Sequence, residues 1–189
     1  MVFFLTSFLF FIPISAFYLH TPRLLDHLGW KSVAAGLTLG QATEIFAMLS
    51  LGFFLKRWRI KWLLLLAMFS GLVRYALYAN GDIQHSPFWV LAGVALHGIC
   101  WTYFFEAGRV FIQKRVDPSV RAQSQALLSL ITGGLGGTIG TAVVGSLYST
   151  LVNPDTGDGW STYWAILTGM CLICLLIFFF GYRGKLDKQ

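Results

Sequence analysis

The sequence predicts an all-α membrane protein of six transmembrane helices, on three observations. The 189-residue chain is 56% hydrophobic, only 12% charged and has a mean hydropathy of +0.67, whereas an ordinary soluble domain is roughly 25% charged. It holds six uninterrupted apolar stretches, each near the roughly 20 residues that cross a hydrocarbon core. Its charges gather in the short segments between those stretches. A water-facing globule is therefore excluded on composition, and a membrane barrel on pattern. Barrel strands alternate apolar with polar residues, and runs such as Phe8 to Ile12 or Leu172 to Phe180 do not. Helices remain, because in lipid each backbone N–H and C=O must be satisfied within its own segment.

The expected spans are residues 1–19, 32–55, 62–79, 88–112, 122–148 and 162–182, forming one six-helix domain over 1–189. The first starts at the initiator methionine. It has neither the basic flank nor the small-x-small cleavage site of a signal peptide before His20, so it reads as a retained helix. Its abrupt start suggests a chain that continues toward the N-terminus. The second span runs into Lys56 and Arg57, and the third begins after Arg59 and Lys61. The fourth ends before Lys114 and Arg115, the fifth follows Arg121, and the sixth precedes Arg183, Lys185 and Lys188. The opposite connectors hold only Arg23 and Lys31 beside Asp26, Asp82, Asp155 and Asp158. Short basic loops stay cytoplasmic, so both termini are expected inside a cell (inner) membrane. The net charge of +6 is thus a topology signal in three short flanks, not one basic face for nucleic acid.

Cys100, Cys171 and Cys174 fall within spans. The C-x-x-C spacing of the last two lacks any His or further Cys beside it. Buried small apolar side chains are the reading, with no disulfide, metal or cofactor expected. The fifth span carries Gly133 with Gly137 and Gly136 with Gly140, overlapping small-x-x-x-small pairs that allow close helix approach.

Ionisable and amide groups inside the spans carry the functional information, because each costs at least a few kcal/mol in lipid unless paired or facing a cavity. Gln41 and Glu44 are three apart on one face near the middle of the second span. An acid there is a candidate for proton uptake and release, and Gln41 offers a donor and an acceptor to a polar ligand. The structural alternative pairs Glu44 with Arg74 of the third span or with His97 of the fourth. Arg74 either reaches the outer interface or counterbalances Glu44. His97 either relays protons or hydrogen-bonds one helix to another. Trp101, Tyr103 and Phe104 offer flat faces for a planar ring, or simply pack. Glu106 and Arg109, near the cytoplasmic end, read as an intrahelical pair with Arg109 reaching toward headgroups.

Six helices with both ends inside, basic loops after the second and fourth, and a glycine-rich fifth resemble one half of a major facilitator superfamily transporter. More narrowly, Leu39-Gly40-Gln41-Ala42-Thr43-Glu44, Phe53-Phe54-Leu55-Lys56-Arg57, Val73-Arg74-Tyr75, His97-Gly98-Ile99-Cys100-Trp101, and Arg121 followed by Gln125 resemble the C-terminal half of the nucleoside:proton symporter family. The resemblance implies a nucleoside bound between two six-helix halves and moved by alternating access with a proton. It implies substrate contacts at Gln41, Glu44, His97, Trp101 and Thr102, with Glu44 coupling the proton. Where the family commonly has an acid after the aromatic, this chain has Thr102, whose hydroxyl can hydrogen-bond a ribose but does not take up and release a proton at neutral pH, so either Glu44 alone serves coupling or coupling is altered. The six helices of the family's N-terminal half are not part of this sequence. A fragment is the favoured reading, ahead of a partner chain or a homodimer. A carrier for another polar solute such as a sugar, and a non-transporting membrane scaffold, are the alternatives. No Ser/His pair, Asp pair or metal cluster supports an enzyme.

Overall fold

The computed structural model describes residues 2–182, and within them the chain folds into six long helices, each long and apolar enough to cross a membrane. They are α1 (Val2–His27), α2 (Val33–Arg57), α3 (Ile60–Ile83), α4 (Pro87–Arg115), α5 (Pro118–Leu151) and α6 (Trp160–Gly181). The basic flanks after α6 lie outside the described residues. Each helix covers its expected span to within one residue at either end, and α1 and α3 run well beyond theirs. Hydropathy registers where hydrocarbon ends, whereas the hydrogen-bond ladder continues as long as polar residues find partners. In α1 the extension carries His20 and Thr21, both buried.

Lipid is as apolar as leucine, so hydrophobic burial does not drive these helices together. Close packing and interhelical hydrogen bonds do. The α1–α5 contact shows the first. A Cβ on Gly140 would run into Ser15 Oγ and the Ile12 backbone, and one on Gly136 would approach Phe11 Cβ. Of the two predicted glycine pairs, Gly136 and Gly140 therefore form the seam, whereas Gly133 faces open space. Three polar contacts tie the acidic end. Asp82 accepts from Ser161 N at the start of α6 (2.8 Å) and lies 3.8 Å from His27 of α1. His20 shares a short hydrogen bond with the Tyr163 hydroxyl and stacks on Tyr148. At the basic end Lys61 Nζ donates to the carbonyls of Phe179 and Tyr182, satisfying acceptors that the end of α6 would otherwise leave open. Cys100, Cys171 and Cys174 are buried free thiols.

Two helices depart from regular geometry. In α4 the ladder tightens at Leu96, whose N–H donates to Gly93 O (3.1 Å), then widens to a π-helical turn over Thr102–Glu106. In α5 a π-helical stretch spans Leu130–Gly136. Such turns are uncommon and gather at functional sites. The α4 irregularities bracket the segment His97–Trp101, which the sequence singles out.

Candidate functional site

The site is built where α2 crosses α4. Gly40 of α2 sits against the His97 side chain, where a Cβ would lie 3.4 Å from His97 Cβ. One turn further on, Gly98 of α4 lies so close to α2 that a Cβ there would strike the backbone of Thr43 and Glu44. Thr43 Oγ1 accepts from Gly98 N at 3.3 Å. Gly98 thus lets the two backbones nearly touch, and that contact sets Glu44 beside His97, with Oε2 and Nε2 4.0 Å apart.

Behind His97 stands Arg74 of α3, 0% exposed and deeper than the sequence suggests, because α3 continues to Ile83. The expectation that Arg74 might reach the outer interface is corrected by its contacts. Its NH1 lies 3.0 Å from His97 Nδ1, and its NH2 donates to the Tyr75 hydroxyl, which donates to Pro13 O of α1 (2.6 Å). The guanidinium also lies over the rings of Phe17 (4.9 Å) and Tyr75 (4.7 Å).

This geometry fixes a tautomer. A guanidinium has only donors, so His97 Nδ1 must be the acceptor and the ring proton must sit on Nε2. That N–H points toward the Tyr18 hydroxyl at 3.4 Å and toward the Glu44 carboxylate. While the Arg74 bond holds, His97 is a neutral imidazole. Arg74 counterbalances Glu44 not by direct contact but through a neutral ring.

An aromatic wall adjoins these groups. Phe17 stacks on His97 (4.1 Å, 9°), Trp101 lies nearly parallel to it (6.0 Å, 26°), and Tyr18 stands edge-on to both. Gln41 is exposed on α2, the side chain of Glu44 is 23% exposed, and Trp101 is half-buried. Thr102 differs, being fully buried with an Oγ1 that has no hydrogen-bond partner. The structure therefore brings Glu44, His97 and Trp101 together with Gln41 one turn along α2, and turns Thr102 into the packed interior. Tyr103 and Phe104 pack as well, Tyr103 bonding Ser50 (2.7 Å) and Phe104 lying against Phe10. Glu106 and Arg109 pair at 3.2 Å, and the Arg109 carbonyl accepts from Gln125 of α5. Tyr18 and Phe17 carry no charge and lie in a uniformly apolar run, so no sequence signal distinguishes them.

A six-helix bundle that leaves an acid and an amide half-open at mid-helix, backed by a buried arginine, has the fold of one half of a major facilitator superfamily transporter. The solved structure of the nucleoside transporter NupG superposes with a TM-score of 0.85 at 24% identity, over 97% of this chain and 48% of that one. The sequence profile of the nucleoside H+ symporter family matches residues 1–187, and the chain belongs to that family. A putative nucleoside transporter, YegT, of Escherichia coli (strain K12) is 31% identical over 95% of this chain and 44% of its own length. The xanthosine permease of the same organism is 30% identical over 89% of this chain and 40% of its own length. The chain thus spans less than half the length of these relatives.

Proposed function

We propose that this chain is one half of a proton-coupled nucleoside carrier of the cell membrane, with its basic end and both termini on the cytoplasmic side. The observation that carries the reading is the open face of α2. Among its residues only Gly36, Gly40 and Ala47 are buried. Lipid covers the exposed Ile45, Phe46 and Leu49 at no cost, but it satisfies neither the amide of Gln41 nor the carboxylate of Glu44. A water-filled cleft against a second six-helix body satisfies both. In that cleft Gln41 offers the donor and acceptor that a nucleobase edge or ribose needs, Trp101 offers a stacking face, and Glu44 takes the proton. His97 presents its Nε2–H to the ionised Glu44, and protonation of Glu44 removes the charge that draws the two together. The family's commoner acid is absent at Thr102, so Glu44 carries coupling alone.

Uptake of labelled uridine and adenosine is measured in cells expressing the chain, alone and joined to the N-terminal half of the xanthosine permease. Uptake stimulated by acid and abolished by Glu44→Gln is the expected result. Undiminished uptake in that variant refutes the role of Glu44. Competition by sugars but not nucleosides refutes the substrate class.

A further inference from the structure

A groove of about 680 Å³ opens at the basic end, between α3 and α6. Its mouth is formed by Arg57, Trp58 and Arg59 where α2 passes into α3. Its walls are Trp62, Leu66 and Phe69, on one stripe of α3, with Leu175 and Phe179 a turn apart on α6. Trp62 to Phe69 is seven residues, so the walls run about 10 Å along the helix axis at 1.5 Å per residue. Lys61, bonded to the last carbonyls of α6, holds the two helices together at the mouth.

The composition changes along this groove in a way that matches one kind of molecule. Arg57 and Arg59 are exposed, and no carboxylate among the described residues lies within ion-pair distance of either. Glu106 is paired with Arg109, Asp117 is bonded to Ser119, and Asp82 is engaged at the opposite end. Below the arginines stand two exposed tryptophans, the residue type that settles at headgroup level, and below these the lining is wholly apolar. We propose that the groove binds one anionic phospholipid, with its phosphate between Arg57 and Arg59 and an acyl chain laid along Trp62, Leu66 and Phe69 against Phe179. A neutral zwitterionic lipid supplies the chain but not the net charge, and a free phosphate supplies the charge but not the chain. A second protein helix would fill the walls yet leave the arginine pair unmatched unless it brought its own acids.

The test is native mass spectrometry of the purified full chain, titrated with phosphatidylglycerol and with phosphatidylcholine of identical acyl chains. Phosphatidylglycerol is expected to bind as one retained copy and phosphatidylcholine not. At about fivefold per basic group near a headgroup, the double substitution Arg57→Gln and Arg59→Gln should weaken retention about thirtyfold. Leu66→Trp, which fills the groove without touching the charges, should weaken it too, and the paired lysine substitutions should keep most of it. Equal retention of the two lipids, an unchanged glutamine variant, or competition by inorganic phosphate alone would each overturn the proposal. So would a tightly co-purifying protein that excludes the lipid.

Discussion

Gly98→Ala should open the crossing on which the site depends. The new methyl would meet the Thr43 carbonyl and the Glu44 nitrogen, all backbone atoms that no rotamer change can move. Restoring carbon contacts to about 3.5 Å requires α2 and α4 to part by roughly 1 Å. Overpacking of this kind costs about 1–3 kcal/mol, and the upper part of that range applies where no flexible side chain gives way. The same displacement stretches the 3.3 Å bond from Gly98 N to Thr43 Oγ1 and moves Glu44 beyond its 4.0 Å approach to His97. At about 2–4 °C per kcal/mol for a chain of this size, the thermal midpoint of the purified protein should fall by roughly 5–10 °C. Two controls belong beside it. A Cβ at Gly40 meets His97 and Val94 at an ordinary 3.4 Å, and one at Gly52 meets nothing within 4 Å. Gly40→Ala and Gly52→Ala should therefore stay within about 2 °C of the parent, helped by the better helix propensity of alanine. A Gly98→Ala protein with the parental midpoint, or a Gly40→Ala protein that is equally damaged, refutes the reasoning.

The remaining predictions concern the ring behind the acid and the cap of α5. Nitrogen-15 NMR of labelled imidazoles should show His97 as the Nε2–H tautomer. Arg74→Met should release that tautomer preference and cost about 1–3 kcal/mol for the acceptors left unpaired. A proton on Nδ1 of His97 in the parent contradicts the assigned bond. Before α5, Asp117 Oδ1 accepts from the Ser119 backbone (2.9 Å) and hydroxyl (2.6 Å), which holds its carboxyl below the usual carboxylate range. A group whose folded value is depressed stabilises above its unfolded value, about 3.9, and that contribution disappears as pH falls through the folded one. The protection of the Ser119 amide, measured relative to its intrinsic exchange rate, should thus hold at pH 7 and fall only below about 4. Asp117→Asn should keep a protection that does not change with pH and Asp117→Ala should lack it throughout, and a loss of protection starting near pH 6 would refute the assignment.

The six spans were legible because lipid imposes one length and one polarity on any helix that crosses it. Their ends were not. Residues 20–27 of α1 look like a loop by hydropathy, yet His20 is buried by a partner, Tyr163, more than a hundred positions away. Glu44 stood out as a lone mid-span acid, and Arg74 and His97 as isolated polar residues. The approach of Glu44 to His97 was one of the pairings the sequence offered; that Arg74 holds the other nitrogen of the same ring could not be read, since it depends on how deep α3 sets the guanidinium and on the ring orientation fixed by Phe17. The π-helical turns are shifts in backbone pairing that leave no compositional mark. Thr102 illustrates the consequence, because its hydroxyl is buried beside a residue, Trp101, that remains half-open.

The buried guanidinium also has an electrical meaning. Arg74 keeps its charge at every physiological pH, and among the described residues no carboxylate lies within ion-pair distance of it. In the proposed cycle an ionised Glu44 and Arg74 would sum to zero, so this pair would bring no net charge to the reorientation of the empty form. Once Glu44 is protonated and an uncharged nucleoside is bound, the pair sums to plus one. This pair would then couple the loaded step to the field, by up to about 2.3 kcal/mol per 100 mV for a charge that crosses all of it. Replacing Arg74 by a neutral residue would lower the charge that this half brings to both steps by one, moving the pair's share of voltage sensitivity to the return step.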